Sequence, residues 1–258
     1  MQDILSTSNL SIGYASKNGK VTIAQNLNLH LQSSTLIALV GANGVGKSTL
    51  LRTLTGLQAP LEGSVFLNKK NIQTYSLLQL AQNLSIVLTE KLPPSNLTVF
   101  EIIALGRQPY TNWIGSLTAN DFDKINEAMT LTQITHLATK KHDELSDGQL
   151  QKTLIARALA QDTPLIILDE PTTHLDLMHK VSLFKLLKKL TTETQKSILF
   201  STHDIDLAID LSDQMIVMTP DKITQDSPCN LIKDKVFDTL FDSEQIIFDA
   251  EKGKFMIR

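Results

Sequence analysis

The stretch GANGVGKST, residues 41–49, constrains the fold more than any other part of the sequence. It follows the apolar run LIALV and precedes LLRTLTGL, so a strand, a glycine-rich loop and a helix are predicted in that order. The glycines allow backbone N–H groups to turn inward around phosphate oxygens, with no Cβ in the way. The helix begins near Lys47 with its positive dipole end towards the same anion, the Lys47 ammonium adds a full charge, and the Ser48 hydroxyl suits Mg²⁺. The sequence therefore predicts an α/β core that binds a nucleotide by its phosphates.

Two later segments supply groups that nucleotide hydrolysis requires. LIILDE, residues 165–170, is typical of a buried parallel strand whose carboxyl end lies beside the phosphate loop. We expect Asp169 to hold Mg²⁺ through water, and Glu170 to orient an attacking water or take its proton. His203 follows the strand SILFST at the same edge, where a neutral imidazole can bond to the γ-phosphate or the water. An acid pair at a strand end and a lone histidine are more often structural, and only their place beside the phosphate loop favours the catalytic interpretation.

The predicted organisation is a single domain, residues 1–258, with a nucleotide-binding core and an inserted helical part. Lys47 and Asp169 are much further apart in sequence than one βαβ crossover requires. A mostly helical subdomain is therefore predicted at 90–160, between core segments 1–89 and 161–258. Short β-type stretches separated by turn residues predict an antiparallel start to the chain: NLSIGY (9–14), LNLHL (27–31), TLIALV (35–40) and SVFL (64–67).

Apolar residues at helical intervals predict the remaining elements. Helices are expected at 97–106 and 118–132, the second capped by Thr118 or Asn120. After LIILDE, one helix is expected to have a solvated lysine side (Lys185, Lys188, Lys189) and an apolar inner face (Leu177, Val181, Phe184, Leu187). A helix from about Asp204, a strand at 215–218 and, from about Asn230, a helix and a short β-hairpin complete the predicted fold.

Composition limits the possible partners. The formal net charge is −3, so no basic excess favours binding to nucleic acid or to an anionic bilayer. The single cysteine, Cys229, cannot form an internal disulfide, and the first residues lack the pattern of a signal peptide, so a cytosolic location is expected. No apolar run approaches the ~20 residues of a membrane span, so a membrane role would require a separate membrane partner.

Together these motifs resemble those of ATP-binding subunits of ATP-binding-cassette (ABC) transporters, over nearly the whole chain. Residues 41–49 resemble the Walker A loop, LIILDE the Walker B strand with its catalytic glutamate, LSDGQ (145–149) the signature, THLD the D-loop and His203 the switch histidine. The resemblance implies a P-loop NTPase core with an antiparallel β subdomain and an inserted helical subdomain. It implies two MgATP molecules sandwiched head to tail between two copies of the chain. The implied nucleotide-binding residues are Tyr14, which would stack on adenine, Gly41, Ala42, Asn43, Gly44, Val45, Gly46, Lys47, Ser48, Thr49, Ser146, Gly148, Gln149 and Asp176.

Two positions depart from the family pattern. Asp147 stands where signature loops usually carry glycine. Ser146 to Gln149 fit a capping box, and an acid in the first helical turn is locally favourable, so we expect Asp147 to turn away from ATP. In the Q-loop, Glu90 falls where the family has a glutamine that reaches Mg²⁺, with Thr89 as a one-residue alternative. The predicted metal ligands are therefore Ser48, Asp169 and Glu90.

The segment that begins LGRQPY (105–110) resembles the branch of importers for iron-siderophores, haem and cobalamin. That resemblance implies an ATP-hydrolysing motor at the cytoplasmic face of the inner membrane, bound to multi-span permease subunits. It also implies an extracytoplasmic substrate-binding protein as an indirect partner, and no nucleic acid. Arg107, Tyr110 and Trp113 are candidates for a permease-binding groove, or ordinary surface and core residues. Alternatives are an ABC ATPase that acts without a permease, a transporter for another substrate and a non-hydrolysing regulatory cassette, against which Lys47 and Glu170 argue.

Overall fold

The computed structural model of the protein describes residues 3–16, 19–88, 95–173, 175–240 and 246–257. Its strands are β1 (Asp3–Ser16), β2 (Gly19–Leu27), β3 (His30–Gln32), β4 (Leu36–Gly41), β5 (Glu62–Leu67), β6 (Lys70–Asn71), β7 (Leu84–Val87), β8 (Leu165–Leu168), β9 (Ser197–Thr202), β10 (Gln214–Met218), β11 (Ile223–Asp226), β12 (Ile246–Asp249) and β13 (Lys254–Ile257). Its α-helices are α1 (Lys47–Leu54), α2 (Leu77–Ala81), α3 (Val99–Ala104), α4 (Ala119–Leu131), α5 (Asp147–Ala160), α6 (Leu177–Thr194), α7 (Ile205–Leu211) and α8 (Pro228–Lys233).

A six-stranded sheet in the order β11-β10-β4-β9-β8-β7 forms the centre of the molecule. The strands from β10 to β7 are parallel, and β11 is antiparallel to β10. Every residue of β4, β8 and β9 is buried, as expected for parallel strands covered on both faces. The carboxyl ends of these three strands lie at one edge, and the predicted catalytic segments follow directly from them.

Each side of this sheet carries its own hydrophobic core. In β4, Leu36, Ala38 and Val40 face a core shared with α5 and α6, while Ile37 and Leu39 face a core shared with α1 and the second sheet. Burial of each large apolar side chain contributes about 1.5–3 kcal/mol. The packing of β4 side chains into two cores therefore fixes the position of the following loop relative to the sheet.

The second sheet is antiparallel, in the order β2-β1-β5-β6, with β3 also paired to β1. The predicted single strand at 27–31 is wrong, because β2 ends at Leu27 and β3 begins at His30. The Asn28 carboxamide accepts the Asn9 N–H, and the Leu29 N–H donates to the Thr7 hydroxyl. Side chains thus add to the remaining backbone bond across this break, which the Thr7 N–H donates to the Leu29 carbonyl at 2.9 Å.

In the described part of the segment between β7 and β8, the regular elements are helices. The α-helices α3, α4 and α5 each begin with a capping box, formed by Thr98 with Glu101, Thr118 with Asp121, and Ser146 with Gln149. Thr118, rather than Asn120, caps α4. The assignment of a subdomain to residues 90–160 stays a prediction.

Arg107 is a buried structural residue, and of the two alternatives left open by the sequence this burial favours the core role over a place in a permease groove. Its side chain is 3% exposed; Nε donates to Asp121 Oδ1 at 2.7 Å and one terminal nitrogen to the Ala160 carbonyl at 2.7 Å. Hydrogen bonds from the Thr118 hydroxyl and backbone N–H, with help from Arg107, lower the pKa of Asp121 to about 2. Arg107 therefore joins the first turn of α4 to the end of α5.

The start of α6 and the end of the chain complete the comparison with the predicted elements. Leu177 is 68% exposed, so its assignment to the inner face of α6 is wrong: it is the first residue of the helix, and the buried face begins at Leu183. The predicted helix and hairpin near the end of the chain are confirmed as α8 and the pair β12–β13.

Candidate active site

The phosphate loop, residues 41–49, joins the buried strand β4 to α1. Gly44 (φ 77°) and Gly46 (φ 109°) have left-handed backbone that side chains rarely adopt. A Cβ on Gly46 would also lie 2.4 Å from Ile23 Cγ2, and one on Gly41 would lie 2.5 Å from the Met218 carbonyl oxygen. Glycine is therefore required here both by conformation and by the close approach of β2 and β10.

Lys47 closes this loop from the helix side. Its ammonium group donates to the carbonyl oxygens of Gly41, at 2.9 Å, and Ala42, at 3.2 Å. Burial lowers the pKa of Lys47, and the nearby carboxylates of Glu170 and Asp169 oppose that change. A buried cation beside two acids is thus positioned where a phosphate would bind.

Ser48 and Asp169 come together although they are distant in sequence. The Ser48 hydroxyl lies 3.4 Å from Asp169 Oδ1, and Asp169 is 8% exposed. A hydroxyl and a carboxylate are hard oxygen donors, the type that Mg²⁺ prefers. This pair fits the predicted metal site, whereas Glu90 and its alternative Thr89 lie outside the described residues.

Glu170 has an unusual backbone conformation and a direct contact with His203. Its φ of 48° is in the left-handed region, which costs a non-glycine residue about 1 kcal/mol or more and must be held by surrounding contacts. Its Oε1 lies 2.6 Å from His203 Nε2, and its Oε2 accepts from the Thr173 hydroxyl at 3.3 Å. The acid and the imidazole are both partly exposed, at 25% and 42%, so water can reach them.

Ser201 ties the two acids together, and sequence reasoning missed it. The Ser201 hydroxyl donates to Asp169 Oδ1 at 2.7 Å and accepts the backbone N–H of Glu170 at 2.8 Å. The residue is fully buried near the end of β9, two positions before His203. Two hydroxyl residues in a row, Ser201 and Thr202, at the carboxyl end of a fully buried strand were the signal that could have identified it.

Comparisons with known proteins identify the family of the chain. The sequence model of the ABC transporter family matches residues 24–173, more than half of the chain. The protein is an ATP-binding subunit of the ABC transporter family. The chain is 35% identical to the ferric enterobactin transport ATP-binding protein FepC of Escherichia coli (strain K12), over 93% of this chain and 88% of FepC. This family membership confirms the predicted fold class and the assignment as an ATPase.

Solved ABC structures show the same architecture. A transporter described as metal-chelate type, in an inward-facing conformation, has a TM-score of 0.81 and 28% identity, covering 99% of this chain and 96% of that chain. A dimeric ATP-binding cassette in a post-hydrolysis state, bound to ADP and Pi, has a TM-score of 0.74 and 26% identity, covering 87% and 98%.

The signature segment of this ABC subunit forms the N-terminus of α5. The capping box is confirmed: the Ser146 hydroxyl accepts the Gln149 N–H at 3.3 Å, and Gln149 Oε1 accepts the Ser146 N–H at 3.1 Å. Asp147 lies in the first helical turn and is exposed, as the capping argument predicts. The direction of its side chain relative to ATP stays a prediction.

The D-loop residue Asp176 lies beside the signature of the same chain. Asp176 caps α6 by accepting the His179 N–H at 2.9 Å, and its Oδ1 lies 2.8 Å from His179 Nδ1. These bonds, the backbone bond first, lower the pKa of Asp176. A Cβ on Gly148 would lie 3.1 Å from His179 Cδ2, so the imidazole packs on the signature turn.

Tyr14, the predicted adenine-stacking residue, has a half-exposed ring. Its hydroxyl lies 2.8 Å from the Thr49 hydroxyl in α1. The aromatic ring is thus linked to the phosphate-binding helix while part of its surface remains available to a base.

Proposed function

We propose that this ABC ATPase powers the import of an iron-siderophore or a related metal chelate, as a head-to-tail dimer on a multi-span permease. The contact between Glu170 and His203, beside Lys47 and the Ser48–Asp169 pair, is the observation that carries the hydrolytic part. The similarity to FepC, a ferric enterobactin transport protein, and to a metal-chelate type transporter supports the choice of cargo.

The phosphate loop binds the ATP phosphates by its backbone N–H groups and by Lys47. Ser48 and Asp169 would hold Mg²⁺, which supplies charge neutralisation at the β- and γ-phosphates when bound. Tyr14 provides a face for adenine stacking. The phosphate loop and Asp169 follow strands of the central sheet, and Tyr14, on β1 of the second sheet, is linked to α1 through Thr49, so these groups are held in a fixed arrangement.

Glu170 orients the attacking water and accepts its proton, because its carboxylate is partly exposed and lies at the end of β8. His203 holds the Glu170 carboxylate through the 2.6 Å contact. With ATP bound, the imidazole can bond instead to the γ-phosphate or to the water.

Two copies of the chain are required to complete each site. Ser146 and the Gly148 N–H of one copy bind the γ-phosphate held by the phosphate loop of the other, with Gln149 and Asp176 alongside. The first helical turn of α5 favours an anion at this position. Asp147 is compatible with this arrangement because it is exposed and need not point at the nucleotide.

A groove of 370 Å³ between the core and the helical segment is suited to a permease helix. Its lining includes Leu57, Leu77 and Leu105, which are 60%, 88% and 40% exposed. Such exposed leucines are expected at a surface covered by a partner. Leu78, on the same helix α2, does not line the groove.

We predict that Leu77→Ser abolishes co-purification with the permease and leaves the fold intact, because it replaces the most exposed apolar side chain of the groove. Leu78→Ser, which removes a 56% exposed leucine one residue away, is the matched control. Equal retention of the permease by both variants would contradict the assignment of this groove.

No helix in the described part of the chain is both long and apolar enough to cross a membrane. We propose that the subunit is held at the cytoplasmic face of the inner membrane by the permease, and that an extracytoplasmic binding protein delivers the chelate. The net charge of −3 gives no support for nucleic acid as a partner.

The decisive experiment combines the Glu170→Gln variant with reconstituted transport. With ATP and Mg²⁺, Glu170→Gln should bind nucleotide, form a stable dimer by light scattering and fail to release phosphate. Wild-type protein, with its permease and binding protein in proteoliposomes, should take up a ferric siderophore in an ATP-dependent manner. A monomeric, hydrolytically active Glu170→Gln would refute the mechanism, and failure to take up any of ferric siderophore, haem or cobalamin would refute the choice of cargo.

A further inference from the structure

The carboxylate of Asp204 connects three segments of the active site. Its Oδ1 accepts from Lys180 Nζ at 2.7 Å, and its Oδ2 accepts from the Thr172 hydroxyl at 2.8 Å. Asp204 directly follows His203, while Thr172 is two residues beyond Glu170. Lys180 lies on α6, and its backbone N–H donates to the Asp176 carbonyl at 2.9 Å. One side chain therefore links the glutamate loop, the histidine loop and the D-loop helix.

Local helix chemistry alone does not account for this arrangement. Asp204 occupies the N-cap of α7, where aspartate normally accepts a backbone N–H of the first turn, yet it makes no such bond. Lys180 lies near the N-terminus of α6, where the helix dipole disfavours a cation. Both residues give up a favourable local interaction or accept an unfavourable one, and the contact that compensates is the one between them.

The pair is protected enough to constrain its neighbours. The Lys180 and Asp204 side chains are only 27% and 22% exposed. They are thus more buried than the solvent-exposed ion pairs that contribute almost nothing to stability. Thr172 is 4% exposed, and its hydroxyl also lies 3.4 Å from that of the fully buried Thr202, which in turn accepts the Asp204 N–H at 3.0 Å. A buried threonine pair therefore anchors the Asp204 carboxylate to the end of β9.

We propose that the Lys180–Asp204 ion pair is a brace that positions Glu170 and His203 for hydrolysis. The strained backbone of Glu170 requires support on both sides. Ser201 supports it from β9, and the brace supports the residues that follow it through Thr172. Lys180 and Asp204 are positioning residues that act through Glu170 and His203, so the inference rests on the roles proposed for those two groups.

The test compares Lys180→Met with Lys188→Met in the full-length protein. Lys188 is a matched control because it lies on the same helix and pairs with Asp213, whose other oxygen accepts the Leu36 N–H at 2.8 Å. Lys180→Met should lower kcat for ATP hydrolysis about tenfold, because small displacements of reacting groups are costly, with KM for ATP changed less than about twofold. Lys188→Met should leave kcat within about twofold of wild type while losing similar stability. Lys180→Arg, which keeps the charge, should restore most of the activity.

A double-mutant cycle identifies the pair itself. Lys180→Met combined with Asp204→Asn should be no slower than Asp204→Asn alone, because the second change removes a contact already lost. The brace is overturned if Lys180→Met matches Lys188→Met in kcat, if it acts through KM, or if the two changes are additive. Glu170→Gln measured in parallel separates the cases: its loss of activity beside a normal Lys180→Met overturns the brace alone, and full activity overturns the proposed role of Glu170 together with the brace.

Discussion

Removal of the Ser201 hydroxyl should disable hydrolysis without preventing ATP binding. Ser201→Ala deletes the bond to the Asp169 carboxylate and the bond from the Glu170 N–H. The first is charge-assisted and worth about 1.5–3 kcal/mol, and the second is worth about 0.5–1.5 kcal/mol. Both partners are buried or partly buried, so the free energy of unfolding should fall by about 2–4 kcal/mol. The loop that carries Glu170 also loses a contact that maintains its left-handed backbone, and kcat should fall between about tenfold and a hundredfold.

Ser197→Ala is the matched control for this prediction. Ser197 is the first residue of the same strand, is also fully buried, and also makes one donated and one accepted bond, to the Gln32 carbonyl at 3.2 Å and from the Ser34 N–H at 3.0 Å. Phosphate release, ATP affinity by fluorescence titration and urea denaturation are measured on both variants. Equal kcat values for the two variants, or a loss of ATP affinity in Ser201→Ala that accounts for its slower turnover, would refute the reasoning.

Two further predictions concern the helical segment. Asp121→Asn leaves the buried Arg107 guanidinium without its carboxylate and should lower the free energy of unfolding by about 3–5 kcal/mol in urea titrations. Hydrogen bonds lower the pKa of Asp121 in the folded protein to about 2, so the contribution of this carboxylate to stability is complete above its unfolded-state pKa of about 4 and is lost as pH falls towards 2. Wild type and variant should therefore converge in stability at low pH. Asp147→Gly should change the ATPase rate of the assembled complex by less than tenfold, because Asp147 is exposed at a helix N-terminus that tolerates its charge; a tenfold or greater increase would show a repulsion of about 1.4 kcal/mol in the rate-limiting barrier.

Local sequence patterns were sufficient for the parts of the site built from consecutive residues. The phosphate loop, the N-terminus of α1 and the Ser146 capping box each depend on spacing within about ten residues, and all three elements form as predicted. The same holds for the cap on α4. The sequence left Thr118 and Asn120 as alternatives there, and the bonds between Thr118 and Asp121 decide between them.

Errors arose where burial depends on distant parts of the chain. Leu177 has the right spacing for the inner face of α6, but its turn lies before the helix reaches the core, so periodicity alone placed it wrongly. Arg107 is charged and lies in a loop-like GRQPY segment, so the sequence left both a surface role and a core role open. Its burial depends on Asp121 and Ala160, which reach it only after α4 and α5 have packed together.

The missed catalytic neighbours follow from strand order, which the sequence did not provide. Strands β8 and β9 are adjacent and parallel, with Leu168 opposite Phe200, so the next residue on each strand, Asp169 and Ser201, must also be neighbours. Continuing the two chains brings Thr172 to Asp204. A single adjacency therefore determines the contacts of both acids, and the side chains that hold Glu170 in its strained backbone come from the neighbouring strand and the loop after it. The catalytic geometry is consequently a property of the β8–β9 pair. Changes at Ser201 or Asp204 should therefore affect turnover, although neither residue lies in the phosphate loop, in LIILDE or in the signature.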